Sequence, residues 1–351
     1  MKKQLGEIAN LKYGKMPNKD LIRDSGYPIF TGYKISGFYP IYMYDKSVII
    51  VVARGVGGTG DVKIAPPKSF ITNLSIIVDI INDKLINKKY LQLLLGSLNL
   101  RNLDSGSAQS QITIAALSKV ELDLPKKDIQ DEIASKIELI ERKIQLNKRI
   151  NDNLDALLTN IFKKYMINDD FEKSDLTQIA NYKNGLAMQK YRPNSNEESL
   201  PVLKIKELNQ GNTDDSSDRC SANLDNSVIV NTGDIIFSWS GTLLVKNWTG
   251  DKAGLNQHLF KVTSNKYPAW FIYEWTKYHL LRFQAIAAGK ATTMGHIKRS
   301  DLKSSPVYIP SQLFLEKMDS QLAPIYSQRL NLIKENQQLS KLKQTLLNKY
   351  F

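Results

Sequence analysis

One cysteine, Cys220, and three histidines are all that 351 residues offer as soft metal ligands. A lone cysteine closes no internal disulfide and builds no multi-cysteine metal site, and it fits a reducing cytoplasm. His258, His279 and His296 share no ligand spacing with cysteine or acidic residues, so no metal site is expected. Long hydrophobic runs are missing as well. The longest, 48–53 and 74–81, are too short to span a bilayer and read as buried strands. The opening Met1 to Glu7 carries charge with no apolar run behind it, unlike a secretory signal. No lipidation motif and no lysine-rich helix with a bulky apolar face point to a membrane. Acidic residues are scarce: 35 Asp and Glu face 48 Lys and Arg, a formal net charge of +13.

Catalytic motifs are lacking too. Amino-methyltransferases of DNA need an Asn/Asp-Pro-Pro-aromatic loop, and here Pro66-Pro67 follows Ala65. No P-loop is present, which excludes a translocase. Glu141-Arg142-Lys143 fits the Glu-x-Lys part of a nuclease motif, but it lies in a heptad helix and reads as a solvated face. The chain is therefore expected to be no enzyme and to hold no cofactor. Its basic excess points to nucleic acid, since Lys and Arg release counterions from phosphates; plain solubility is the blander account.

What is there is duplication. Leu5-Gly6-Glu7-Ile8-Ala9-Asn10-Leu11-Lys12-Tyr13-Gly14 recurs as Leu176-Thr177-Gln178-Ile179-Ala180-Asn181-Tyr182-Lys183-Asn184-Gly185, identical at six of ten positions. Residues 117–166 lie over 302–351 without a gap, pairing Pro125 with Pro310, Asn151 with Asn336 and Lys164-Tyr165 with Lys349-Tyr350. Between these ends, strand-like runs at 48–53, 70–78 and 120–124 answer 202–205, 235–239 and 259–262, and each half has one late helix, 88–103 or 270–286. Each half is thus a globular module followed by a helical tail. The fold expected is α+β: two repeated α/β modules, 1–125 and 169–310, separated by two long helical spacers, 126–168 and 311–351.

Both tails step by four and three residues. Ile133, Ile137, Ile140, Ile144, Asn147, Asn151, Leu154 and Leu158 mark the first; Met318, Leu322, Ile325, Arg329, Leu332, Asn336, Leu339 and Lys343 mark the second. Such spacing lets the two helices pack as a coiled coil, expected here to be antiparallel with a pseudo-two-fold and its register fixed by Asn151 and Asn336; two amphipathic helices, each packed on its own module, are the alternative. Pro324 predicts a helix starting there, with a matching break near Leu139. The stretch 139–166 would span about 40 Å and hold two reading heads about one turn of DNA apart.

With these residues in view, the chain resembles the specificity subunits of type I restriction–modification systems. The resemblance rests on Leu5-Gly6-Glu7-Ile8-Ala9, on Leu124-Pro125 with Gln130-Asp131-Glu132-Ile133, and on Leu200-Pro201-Val202-Leu203-Lys204-Ile205. Asp234-Ile235-Ile236-Phe237-Ser238-Trp239-Ser240-Gly241-Thr242 and Leu255-Asn256-Gln257-His258 complete it. Ile309-Pro310-Ser311-Gln312 departs from the pattern. The resemblance implies two target recognition domains, each reading half of a split double-stranded DNA site. It implies helices that dock two methyltransferase subunits, with restriction–translocase subunits joining them; self-association without those partners is left open by the sequence. A coiled-coil adaptor that binds protein, its basic charge incidental, is the other reading open here; steep salt dependence separates the two.

Base readout needs side chains with paired hydrogen-bonding groups, and phosphate contact needs charge or a small donor. The glycine loop of Arg54 and Thr59, with its counterpart at Trp239, meets that need or is a plain turn. Gln109 and Gln111 lie in one polar loop, and Lys290, Thr292 and Thr293 in the matching one. Lys204, Lys206, Lys246, Lys298 and Arg299 form a basic group that could equally be a solvated face. Asn256 and His258 are further candidates, though a structural histidine is the commoner case.

Overall fold

The computed structural model describes residues 1–55, 58–103, 111–289 and 295–351. The chain divides into two units, Met1–Glu141 with Leu342–Phe351, and Arg142–Lys341. Four helices carry the architecture: α1 (Lys88–Ser97), α2 (Lys127–Met166), α3 (Ala269–Tyr278) and α4 (Gln312–Tyr350).

In the first unit the run Val-Ile-Ile-Val-Val forms the strand Val48–Val52, buried at every residue. Branched side chains suit the pleat, and burial on both faces explains why polar alternation is missing. It pairs antiparallel with Val62–Ala65 on one side and Ser75–Ile80 on the other, and Ala9–Tyr13 completes the sheet. A smaller sheet sets Tyr27–Phe30 between antiparallel Ile35–Tyr39 and parallel Phe70–Ile71. Helix α1 starts where the Asn87 side chain accepts the Tyr90 N–H at 2.9 Å, and it buries Tyr90, Leu91, Leu93 and Leu95.

The second unit repeats the plan. One of its sheets runs Asn181–Asn184, Leu259–Thr263, Ile235–Ser238, Leu244–Asn247, all antiparallel. Its other sheet, also four-stranded, again holds one parallel pair, Ser199–Leu203 with Ala253–Leu255, flanked by Arg219–Ser221 and Ile229–Val230. Even single bridges recur. Lys15 pairs parallel with Thr72 as Leu186 does with Asn256, and Arg54 pairs antiparallel with Gln111 as Ser240 does with His296.

Each long helix is built into both cores. The first core takes Ile133 and Ile137 from α2, with Leu346 and Leu347 of α4 packed against it. The second takes Leu158, Phe162 and Met166 from α2 and Leu315, Met318 and Leu322 from α4. Truncating one such side chain costs about 2–5 kcal/mol, so apolar burial dominates the attachment of helices to modules.

Within the second unit the two helices run antiparallel. Asn151 donates to the Arg329 carbonyl at 3.2 Å, and Asn336 donates to the Ile144 carbonyl at 3.4 Å. Asn336 and Arg329 are the repeats of Asn151 and Ile144, so these are one bond related by a local two-fold. Asn147, fully buried, donates to Asn336 Oδ1 at 3.0 Å and Glu335 Oε2 at 2.8 Å. Its repeat is Leu332, so the polar seam breaks the symmetry it otherwise obeys.

Two expectations are corrected. Helix α4 runs unbroken through Pro324, and α2 runs unbroken through Leu139. A mid-helix proline costs about 3 kcal/mol. Burial of Met318, Leu322 and Tyr326 around it outweighs that cost. Glu141, read as solvated, is half-buried between Lys89 and Lys343, because α1 and α4 both pack on that face of α2.

Glu274 of α3 is 1% exposed, and its Oε1 has no hydrogen-bond partner among the described residues. Burial pushes its carboxyl up to about 7, against the opposing pull of Lys277. A raised folded-state value means proton uptake on folding, so this group's contribution to stability falls as pH rises from about 4.5 to 7. Glu274→Gln should therefore raise unfolding free energy by about 3 kcal/mol at pH 8 and by less than about 1 kcal/mol at pH 5. Urea midpoints at the two pH values check this, and an equal gain at both would contradict it.

Candidate nucleic-acid interface

The parallel pair Ser199–Leu203 and Ala253–Leu255 brings two distant loops to one edge of the second module. Between them opens a cleft of about 760 Å³. Lys204, Lys206, Arg192 and Arg219 line it against a single acid, Asp218, with Gln189, Asn256, Gln257 and His258 beside them. Lys204 pairs with Asp218 and holds its carboxyl below the usual range. Lys206 donates to Ser216 at 2.9 Å and stands 3.8 Å from Asp214.

Asn256 is 7% exposed; its side chain accepts the His258 N–H at 3.2 Å, so it shapes the turn that presents its neighbours. Gln257 Nε2 lies 3.4 Å from His258 Nε2. The half-buried Trp239 sits with its ring centroid 6.0 Å from that of His258, and its indole N–H donates to Asn184 at 3.1 Å. The cleft wall therefore offers amide and imidazole groups beside four cations, the chemistry that base edges and phosphates require.

Other sequence candidates fall elsewhere. Lys246 donates to the Asn209 carbonyl at 3.2 Å. Arg299 donates to the Tyr182 carbonyl at 3.2 Å and stacks 5.6 Å from the Phe260 ring. It lines a second cavity, with Lys266 and Lys303, at the opposite end of the strand Leu259–Thr263. The Lys298 backbone N–H is capped by Asp301 at 2.7 Å, and its side chain is exposed. In the first module Arg54 is exposed, 5.9 Å from the Tyr13 ring, and bridges to Gln111. Thr59 is buried, and its hydroxyl donates to the Gly55 carbonyl at 3.1 Å. Gln109, Lys290, Thr292 and Thr293 lie outside the described residues. Among the described residues no cluster of His, Cys, Asp or Glu could hold a metal, and no helix is long and apolar enough to cross a membrane.

Gln189, Arg192, Arg219 and Gln257 were not singled out from sequence. Gln257 alone carried a signal, its place beside Asn256. The others reach the cleft through strand pairings such as Val202 with Gly254, which local periodicity does not reveal.

A family model described as the type I restriction modification DNA specificity domain matches residues 1–156 and again 168–342. The chain belongs to that family. It is 25% identical over 284 residues to the type I restriction enzyme MjaIX specificity subunit of Methanocaldococcus jannaschii, covering 71% of this chain and 64% of that one. It is 25% identical over 204 residues to the EcoBI specificity subunit of Escherichia coli, covering 56% of this chain and 40% of the relative. In fold it is similar to the crystal structure of a type I restriction-modification S subunit from M. genitalium, with a TM-score of 0.62 and 18% identity over 100% of this chain and 96% of that one. The two matched segments of the specificity family coincide with the two repeats.

Gly14 and Gly185 hold equivalent places in those repeats, directly after the strands Ala9–Tyr13 and Asn181–Asn184. A Cβ on Gly185 would lie 2.2 Å from the Leu255 carbonyl oxygen and 2.3 Å from that of Asn256; on Gly14 it would lie 2.2 Å from Thr72 O. Gly185→Ala must push the Asn256 turn outward. It should cost about 2 kcal/mol or more, read as a lower urea midpoint. An unchanged midpoint would contradict the close approach.

Proposed function

We propose that this chain is the specificity subunit of a type I restriction–modification complex and reads a split double-stranded DNA site. Residues 1–125 and 169–310 each read one half-site. The helical stretches 126–168 and 311–351 set the spacer and dock two methyltransferase subunits, to which restriction–translocase subunits add. Methyl transfer and cleavage belong to those partners, and the complex works in the cytoplasm.

The observation that carries the reading is one backbone frame bearing two sets of side chains. The same bridges present Arg54 and Gln111 in one module and Ser240 and His296 in the other. Likewise Thr72-Asn73-Leu74 stands where Asn256-Gln257-His258 stands. A shared frame with different donors and acceptors suits two different base sequences. Four cations around the second module's cleft supply the phosphate attraction.

DNA binding should weaken steeply with salt. Arg192→Ala and Lys206→Ala should each lower the slope of log affinity against log salt by about 0.9, leaving the preferred sequence unchanged. Duplex affinity that ignores salt would favour a protein adaptor. Removing one heptad from each long helix takes out about 10 Å, the rise of about three base pairs. Methylation by the assembled complex should then shift to a spacer shorter by that amount, with both half-sites kept. Altered half-sites with an unchanged spacer would contradict the reading.

A further inference from the structure

Each unit ties its late helix to both long helices through one carboxylate. In the first, Glu141 of α2 accepts Lys89 of α1 on Oε2 and Lys343 of α4 on Oε1, each at 2.7 Å. In the second, Asp155 of α2 accepts Lys277 of α3 on Oδ2 and Arg329 of α4 on Oδ1, the latter at 2.7 Å. The two arrangements share one design: an acid on α2, one base from the module's own helix, one from α4, and one base per oxygen.

Their placement follows the seam. Glu141 and Asp155 are fourteen residues apart on α2, and the bases they take from α4, Lys343 and Arg329, are fourteen apart in the opposite sense. The clamps differ in shelter. The Arg329 side chain is 6% exposed and stacks 4.9 Å from the Tyr273 ring, whereas Lys343 is 31% exposed. Burial pushes the Glu141 carboxyl up, but its two lysines more than offset this and hold it below its ordinary value.

Apolar packing attaches the modules but is weakly directional; a ridge can slide in its groove. A carboxylate engaged on both oxygens fixes position and plane together. The distinction matters on DNA, where one added base pair turns the far half-site by about 35° around the axis. A module free to swing through that angle accepts neighbouring spacers, and a clamped one does not.

We propose that Glu141 and Asp155 are positioning residues, each holding its recognition module at one angle on the long helices, so that the subunit accepts a single spacer length. This rests on the split-site reading given above.

The test uses the full chain reassembled with its methyltransferase subunits. Its probes are duplexes of the mapped site with the spacer unchanged, one pair shorter and one pair longer. Wild type should methylate the unchanged spacer at least about tenfold faster than either neighbour. Asp155→Asn and Glu141→Gln keep shape and remove charge. Each should reduce that preference to about threefold or less, while single-base changes inside the half-sites remain as damaging as before. Glu141→Asp should restore most of the preference, which a general loss of stability would not allow. Should Asp155→Asn fail to fold, Glu141→Gln, whose α4 partner Lys343 is the less sheltered base, decides alone. A tenfold preference retained by the folded variants overturns the proposal. A wild type indifferent to spacer overturns the split-site reading itself, before any variant is made.

Discussion

Antiparallel pairing of α2 and α4 is the constraint on which the rest depends. Side chains at four- and three-residue steps bury an apolar stripe, but such a stripe alone leaves register open. Asparagines close it. Asn151 and Asn336 each reach a main-chain carbonyl on the opposite helix, and a carbonyl offers its lone pairs only at that height. Asn147, buried with Asn336 and Glu335 as partners, would be stranded by a slip of one turn. Because the chain is a duplication, the paired bonds of this seam within the second unit come from equivalent positions of the two repeats.

Apolar burial and polar contacts divide the work. Phe162, Leu158 and Leu322 are fully buried in the second core, and their removal would cost more than any ion pair on the helices. The polar groups contribute definition instead. Buried ionic groups such as Arg329 with Asp155 are seldom net stabilisers, because desolvation consumes most of the Coulombic gain. Their presence where three helices meet suits geometry that has to be unique. Glu274 shows the cost of that choice, a buried carboxyl whose Oε1 has no hydrogen bond among the described residues and only the Lys277 ammonium 3.7 Å away.

The repeat, the module-then-tail organisation and the heptad seam were legible because they are written in local pattern. Leu5 to Gly14 against Leu176 to Gly185 needed no structure to align. Asn151 and Asn336 stood out as polar residues in an apolar register. Pro324 misled, since local propensity predicts an interruption and only tertiary burial of Met318, Leu322 and Tyr326 overrides it. Glu141 misled for a related reason. Its neighbours in sequence are charged, and the lysines that cover it come from helices about 50 and 200 residues away. The cleft was half legible: Lys204, Lys206, Asn256 and His258 were singled out, while Arg192, Arg219 and Gln189 arrive through long-range strand pairing. Lys246 and Arg299 illustrate the converse, cations whose charge is visible in sequence but whose donors are directed to main-chain carbonyls.

Two recognition modules on one duplicated chain, as proposed above, should meet two half-sites at a constant spacing. Mapping methylated bases across the DNA of cells with and without this chain tests it most directly. One gene-dependent motif is expected, made of two short defined blocks around a non-specific spacer of constant length. A continuous motif, or methylation that does not change when the chain is removed, would contradict it.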